Sequence, residues 1–192
     1  MILSLNRAKL SSRKKQPHPP PENSFVYIKV KPMTMKNPKT NALRLAESAG
    51  ADFEAFEYDV SDGRIDANAI AEKLNRSPDE VFKTLVTQAP GHEYFVFIVP
   101  AAGELDLKKA AKAAGKKSIE MIPMKELLPL TGYVHGGCSP LGMKKLFPTF
   151  IDETAQLFDR IWVSGGRVGL NISIPPETLA ALVNAVFADI GK

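Results

Sequence analysis

The stretch Val81-Phe-Lys-Thr-Leu-Val-Thr-Gln-Ala-Pro-Gly-His-Glu-Tyr-Phe-Val-Phe-Ile-Val-Pro100 decides the fold class of this chain. Two runs rich in β-branched and aromatic residues, 83–88 and 94–100, flank the turn residues Ala89-Pro-Gly-His92. Apolar runs of this length, separated by proline and glycine, predict the two strands of a β-hairpin. A hairpin at this position argues against a doubly wound parallel sheet.

Short helices and strands alternate irregularly on both sides of the hairpin. Before it, the pattern predicts a helix that begins at Pro38 and ends at Gly50, a strand over 53–58 and a helix capped by Asp66. After it come a helix over about 106–114, a helix around 125–130 and strands over 149–152, 160–164 and 170–174. A last helix is predicted from six apolar residues at helical spacing: Leu179, Leu182, Val183, Val186, Phe187 and Ile190. This order predicts an α+β fold with a mixed β-sheet packed with helices.

Length and composition are those of one soluble domain. The chain has 192 residues, of which 44% are hydrophobic and 24% charged. A single cysteine excludes an internal disulfide framework, and three scattered histidines give no zinc-ligand spacing. There is no apolar run of the roughly 20 residues that a membrane helix needs, and no signal-peptide pattern. We therefore expect a cytoplasmic protein without a membrane segment, a metal or a cofactor.

The first 32 residues differ from the rest. Residues 1–35 hold seven basic residues and one acidic residue, so residues 36–192 hold 18 basic and 20 acidic residues. The proline-rich run Gln16-Pro-His-Pro-Pro-Pro21 cannot form a packed element. We expect residues 1–32 to be a basic extension, either disordered or upstream of a true start at Met33 or Met35, and residues 33–192 to be the domain. Because the domain itself is slightly acidic, any RNA contact must come from a local patch.

Lys83 is the first candidate for chemistry, since it has apolar neighbours on both sides. In a half-buried cleft, the charge of such a lysine binds an anionic or carbonyl group more strongly than in water. The alternative is a lysine at a strand end whose side chain reaches solvent. The residue pattern alone leaves both interpretations open.

The loop Thr131-Gly-Tyr-Val-His-Gly-Gly-Cys-Ser-Pro-Leu-Gly142 contains four glycines. Its backbone N–H groups could bind a carbonyl oxygen or a phosphate, because Gly136 and Gly137 allow close approach to the main chain. The alternative is a tight connection between two elements. The loop lacks the Walker pattern, and Gly165-Gly-Arg-Val-Gly169 is not a dinucleotide fingerprint.

Cys138 and the clustered lysines have simpler interpretations beside the functional ones. A cysteine nucleophile needs an oriented base, and the one nearby histidine, His135, lies three residues back in the same loop, so a small buried thiol is favoured. Two sets of lysines could form a local phosphate-binding patch or could be solvated surface charges: Lys108, Lys109, Lys112, Lys116 and Lys117 in one, and Lys144 and Lys145 in the other.

Several motifs follow one another in an order that is more specific than any one of them. They are Glu57-Tyr58-Asp59, Val81-Phe-Lys-Thr-Leu-Val86, Glu104-Leu-Asp-Leu-Lys-Lys109, Thr131-Gly-Tyr133, Gly136-Gly-Cys-Ser-Pro-Leu-Gly142 with Lys144-Lys145, and Ile161-Trp-Val-Ser-Gly-Gly-Arg167. In this order they resemble the YbaK/EbsC family over about residues 37–192. The chain departs from that family at Cys138, where an aliphatic residue is more typical.

The resemblance implies a partly barrel-like mixed sheet packed with helices, shared with the editing domain of some prolyl-tRNA synthetases. It implies trans-editing, in which the ester of mischarged Cys-tRNA(Pro) is hydrolysed with help from the substrate's own thiol. The implied partner is aminoacylated proline tRNA, with prolyl-tRNA synthetase as a further candidate in a ternary complex, and neither DNA nor a membrane is implied. Two alternatives stay open: a sister deacylase for Ala-tRNA(Pro) or another small amino acid, and a non-catalytic tRNA-binding module.

The resemblance also implies roles for individual residues. Lys83 would be an electrostatic anchor for the 3′-terminal adenosine or the ester, and the N–H groups of Gly136 and Gly137 would stabilise the oxyanion. The remaining implied residues fall into two sets. The substrate-binding set is Tyr58, Phe82, Thr84, Ser139, Pro140 and Gly142, and the tRNA-binding set is Lys108, Lys109, Lys112, Lys144 and Lys145.

Overall fold

The computed structural model describes residues 38–192, and the predicted N-terminal extension, residues 1–32, lies outside them. The described residues form five α-helices and eight strands. The helices are α1 (Asn41–Ser48), α2 (Ala67–Leu74), α3 (Leu107–Ala113), α4 (Met124–Thr131) and α5 (Pro176–Val183). The strands are β1 (Glu54–Glu57), β2 (Phe82–Ala89), β3 (Glu93–Pro100), β4 (Glu120–Met121), β5 (Thr149–Asp152), β6 (Ile161–Arg167), β7 (Leu170–Ile174) and β8 (Val186–Ala188).

The strands form two sheets. Strands β1, β7 and β6 make an antiparallel three-stranded sheet, and the order β4-β2-β3-β5-β8 makes a mixed five-stranded sheet. The predicted hairpin lies inside the five-stranded sheet. Its strands β2 and β3 pair along their whole length, from Phe82 opposite Pro100 to Ala89 opposite Glu93. The predicted mixed α+β fold is confirmed, and across residues 38–192 the sheets do not close into a barrel.

Alternation along β3 sends its side chains into two separate cores. Val96 and Ile98 join the main core, in which α1, α5 and the three-stranded sheet also pack. Phe97 and its alternate neighbours face the opposite side of the sheet, where α3 covers them with Ala110. We call the first side the inner face of the five-stranded sheet and the second its outer face.

The predicted last helix through Ile190 is wrong in its second half. Helix α5 ends at Val183 because Asn184 adopts a left-handed conformation (φ 51°, ψ 43°). Beyond it, Val186 and Phe187 pair in parallel with β5, and Ile190 is completely buried in the outer core. Apolar residues at this spacing fit both a continuous helix and a helix followed by a short buried strand, so the pattern did not reveal that the helix ends at Val183.

The predicted cap at Asp66 is confirmed, because its side chain accepts from Ala69 N at the start of α2. Asp106, predicted as the first residue of its helix, is instead the cap of α3 and accepts from Lys108 N and Lys109 N. The predicted start at Pro38 is displaced, because Thr40 is the residue that caps α1. None of the five helices in residues 38–192 has the length and apolar character that a membrane crossing requires.

Candidate functional site

Lys83 lies near the start of β2, and its side chain belongs to the outer face. Phe82 on one side of it is in the main core, whereas Val81 packs with Ala101 and Trp162 in a small separate cluster. The Lys83 ammonium donates to Ala101 O at 3.1 Å and to Gly103 O at 2.5 Å. An ammonium has three N–H donors, so one is left for a ligand.

Partial burial changes the electrostatics of this lysine. Desolvation lowers the pKa of Lys83, and the nearby Glu104 carboxylate opposes that shift. The ammonium is half-buried and held by two carbonyls instead of extending freely into water. This arrangement strengthens the attraction of Lys83 for an anionic or carbonyl oxygen.

Polar side chains on the same side as Lys83 continue across the three-stranded sheet. Val81 and Trp162 form an isolated parallel bridge, and Lys83 and Ser164 each follow it by two residues, so strand alternation directs their side chains to the same face. Ser164 is opposite Asn171 in the antiparallel pair of β6 and β7. Tyr58 donates from its hydroxyl to Asn171 Oδ1 at 3.2 Å. We call Lys83, Ser164, Asn171 and Tyr58 the polar row.

Two members of the polar row were not predicted from the sequence. Asn171 is 4% exposed in a short strand that alternates apolar with polar residues, and an amide inside such a strand is the signal that could have found it. Ser164 was quoted within a motif, but only the register across β6 shows that it shares a face with Lys83. Burial raises the pKa of Tyr58, against a smaller lowering by the backbone of Gly169, so Tyr58 is a neutral donor.

The glycine loop packs against the turn between β6 and β7. A Cβ on Gly137 would lie 2.9 Å from the backbone of Arg167 and Val168, and the Gly137 N–H donates to Val134 O at 3.1 Å. The Gly136 N–H has no acceptor among the described residues, and Gly136 takes a positive φ of 77° beside Ile65. The expected pair of oxyanion donors is thus reduced to one free N–H, at Gly136.

Three of the other residues expected at the substrate lie beneath the surface. Phe82 is 2% exposed, Ser139 is fully buried with its Oγ accepting from Leu141 N, and Pro140 is buried. Gly142 fits against the backbone of Asn41, where a Cβ would come within 2.7 Å. These residues shape the loop and its support, and their side chains do not reach the polar row.

Thr84 is a special case among the expected substrate-binding residues. Its Oγ1 is buried without a hydrogen-bond partner in the described residues. Thr84 follows Lys83 in β2, so strand alternation directs its side chain toward the inner face. It therefore does not share a face with the polar row.

Cys138 is a buried thiol. Burial raises the pKa of Cys138 to about 12, so the thiol stays protonated near neutral pH. His135 is exposed on the same loop, and the hydroxyl of the neighbouring Tyr133 donates to Leu141 O at 2.6 Å. A nucleophilic cysteine needs a lowered pKa, so the environment of Cys138 is opposite to that of a reactive thiol.

Comparison with known proteins gives the family. The aminoacyl-tRNA editing domain matches residues 64–182. The chain belongs to this family. It is 43% identical over 152 residues to the candidate Cys-tRNA(Pro)/Cys-tRNA(Cys) deacylase EbsC of Enterococcus faecalis (strain ATCC 700802 / V583), a match that spans 79% of this chain and 93% of that protein.

More distant relatives agree with this editing-domain assignment. The proline--tRNA ligase of Burkholderia orbicola (strain AU 1054) is 26% identical over 156 residues, which are 79% of this chain but 27% of the ligase. A crystal structure of a candidate trans-editing enzyme for prolyl tRNA synthetase superposes with a TM-score of 0.72 at 24% identity, covering 81% of this chain and 99% of that one. The last likeness shows the fold of the editing domain.

The lysines expected to bind tRNA are not brought together in this editing domain. Helix α3, with Lys108, Lys109 and Lys112, packs on the outer face of the five-stranded sheet. Lys144 follows the glycine loop and donates to Leu128 O and Pro129 O of α4, which packs on the inner side, and the exposed Lys145 follows it. The sheet lies between the two sets, so they cannot form one patch.

The three lysines of α3 also differ from one another. Lys109 is engaged by Asp189 and Gly191 O at 2.7 and 2.8 Å. Lys108 and Lys112 are exposed.

Two clefts of about 350 and 450 Å³, at the β2–β3 turn and beside α4, contain neither Lys83 nor the glycine loop.

Proposed function

We propose that this editing domain is a cytoplasmic trans-editing deacylase that hydrolyses mischarged Cys-tRNA(Pro). The observation that carries the proposal is the Lys83 ammonium, half-buried and held by two carbonyls at one end of the polar row. The chain is 43% identical to a relative named as a candidate Cys-tRNA(Pro)/Cys-tRNA(Cys) deacylase and spans 93% of it, which supports the same activity for this chain.

Lys83 anchors the 3′ end of the tRNA in this proposal. Its remaining N–H and its charge bind an oxygen of the terminal adenosine or of the ester. The hydroxyl groups of Tyr58 and Ser164 border the aminoacyl group on the same face, and the buried Asn171 holds the Tyr58 hydroxyl. The free N–H of Gly136 donates to the ester oxygen as negative charge develops on it, which lowers the barrier to cleavage.

The nucleophile in this proposal comes from the substrate. The thiol sulfur of the cysteinyl group attacks its own ester carbonyl carbon, and the bond from that carbon to the ribose oxygen breaks. The leaving ribose oxygen takes up the proton that the thiol loses, so the products are uncharged tRNA and a cysteine thiolactone, which water then hydrolyses. An intramolecular attack requires orientation and oxyanion stabilisation from the protein, and no protein nucleophile.

The tRNA body approaches along α3 in this proposal. Lys108 and Lys112 lie on the outer face, as Lys83 does, and follow the loop that holds the Lys83 ammonium. Two surface lysines add little phosphate affinity, and the domain is otherwise slightly acidic. Weak intrinsic affinity supports a ternary complex in which prolyl-tRNA synthetase presents the mischarged tRNA.

The test is single-turnover deacylation of Cys-tRNA(Pro) and Ala-tRNA(Pro) by the wild-type protein and three variants. Lys83→Ala should lower cysteine release by about 10²-fold or more, as loss of an electrostatic contact in an active site does. Cys138→Ala should release cysteine within twofold of wild type, and the exposed Lys117→Ala is the matched lysine control. Release of alanine alone would show that the substrate is Ala-tRNA(Pro). Release of neither amino acid would show that the protein is a non-catalytic tRNA-binding module. A folded but inactive Cys138→Ala variant would refute the substrate-thiol chemistry.

A further inference from the structure

The position of the Lys83 ammonium depends on the loop between β3 and α3. Ala101, whose carbonyl is one of the two acceptors, is fixed to the sheet because its N–H donates to Val81 O at 2.7 Å. Gly103, the closer acceptor, is in no strand, and its N–H donates to Pro100 O within the same turn. The position of the Gly103 carbonyl must therefore depend on contacts with residues outside this turn.

That support comes from residues 190–192. Lys192 N donates to Glu104 O at 3.0 Å, and Asp106 N donates to Ile190 O at 2.9 Å. Between these two bonds, Leu105 and Gly191 form an antiparallel bridge. Residues 104–106, directly after Gly103, are therefore paired with a segment that lies almost 90 positions later in the sequence.

Residues 190–192 are themselves firmly held. Ile190 is completely buried in the outer core, and its N–H donates to the buried Asp152 carboxylate at 3.3 Å. Lys109 donates to Gly191 O at 2.8 Å from the other side. A buried carboxylate is costly unless it is hydrogen-bonded, and Asp152 also accepts from the backbone and the hydroxyl of Thr154.

We infer that segment 190–192 is a positioning element for Lys83, because its pairing with residues 104–106 keeps the Gly103 carbonyl against the ammonium. Its effect on catalysis rests on the proposed function, whereas its effect on the Lys83 environment does not. A displacement of about 1 Å at a catalytic group can cost 10²-fold in rate, so a backbone hydrogen bond distant from the substrate can control the reaction.

The test compares Lys192→Pro with Lys192→Ala. Proline removes the backbone N–H that donates to Glu104 O together with the side-chain pair to Glu104, whereas alanine removes the exposed side-chain pair alone. The first readout is the titration of the Lys83 signal by NMR with ¹³C-labelled lysine. Desolvation is the larger influence on Lys83, so a frayed loop should raise its pKa in Lys192→Pro and leave it near the wild-type value in Lys192→Ala.

The second readout is single-turnover release of cysteine at saturating protein. Lys192→Pro should be about tenfold slower with little change in tRNA affinity, and Lys192→Ala within twofold of wild type. Equal Lys83 titrations in the two variants, or a changed titration with an unchanged rate, would overturn the inference. A changed titration in a protein whose wild type leaves Cys-tRNA(Pro) intact would support the positioning and refute the proposed function.

Discussion

Replacing Gly137 by alanine tests how tightly the glycine loop is locked to the β6–β7 turn. The new Cβ would meet Arg167 C, Arg167 Cα and Val168 N, each at 2.9 Å. All three are backbone atoms, so no side chain can rotate away and the loop itself must move. Overpacking of this kind costs about 1–3 kcal/mol, and we expect about 2 kcal/mol for Gly137→Ala.

The comparison variant is Gly115→Ala, which has no clash. Gly115 has open space around its Cβ position and a positive φ of 65°, a conformation that Gly137 does not adopt, so this variant shows the cost of backbone strain without overpacking, about 1 kcal/mol. Urea unfolding followed by circular dichroism gives both values. With a slope of about 2 kcal/mol/M, the Gly137→Ala midpoint should fall by about 1 M, roughly twice the shift of the control.

Activity separates the loop from general stability. At a temperature where both variants are fully folded, Gly137→Ala should lose more than tenfold in cysteine release, since a displaced loop misplaces the Gly136 N–H, whereas Gly115→Ala should stay within twofold of wild type. A Gly137→Ala protein with the stability and the rate of wild type would show that the loop is not held by this contact.

Three further predictions concern the polar row and α3. Burial lowers the pKa of Lys83, so the protein's affinity for a non-hydrolysable 3′-amide analogue of the substrate should fall with rising pH. The midpoint of that fall should lie below the pKa of a free lysine, roughly 10.4. A calorimetric titration that shows constant affinity up to that pH would contradict the prediction. Tyr58→Phe removes the donor to Asn171 Oδ1 and should lower the unfolding free energy by about 1 kcal/mol in urea, and no loss would mean that water replaces the hydroxyl. The double variant Lys108→Glu with Lys112→Glu should weaken tRNA binding and reduce its salt dependence in a filter-binding assay. The double variant Lys144→Glu with Lys145→Glu should change neither. The reverse result would place the tRNA on the inner side of the sheet.

The sequence allowed the local elements to be predicted better than their ends. The hairpin around Pro90 and the cap at Asp66 depend on neighbouring residues alone, so the pattern contained the information. The break after Val183 depends on Asn184 and on a parallel partner, β5, that is more than 30 residues away in the sequence. Apolar spacing cannot distinguish a continuing helix from a short strand that is buried by a distant neighbour.

The candidate site shows the same division. Lys83 could be selected from its apolar flanks, but its two carbonyl acceptors and the face it shares with Ser164 follow from chain crossings that no local pattern specifies. The lysines of α3 and of the segment after the glycine loop look alike in sequence. Only the five-stranded sheet between them shows that they face opposite sides.

The titration states around the polar row bear on which substrates this editing domain can cleave. Burial raises the pKa of Tyr58 and holds that of Cys138 at about 12, so neither side chain is a base or nucleophile near neutral pH. In the proposed mechanism the Gly136 N–H and the Lys83 ammonium stabilise negative charge, and neither acts as a nucleophile. Selectivity would then come from the aminoacyl group itself, because a substrate that carries its own thiol supplies the missing group. Cysteine and alanine are both small enough to be mischarged by a proline pocket, yet cysteine alone has that thiol, so we expect the cysteinyl ester to be released first.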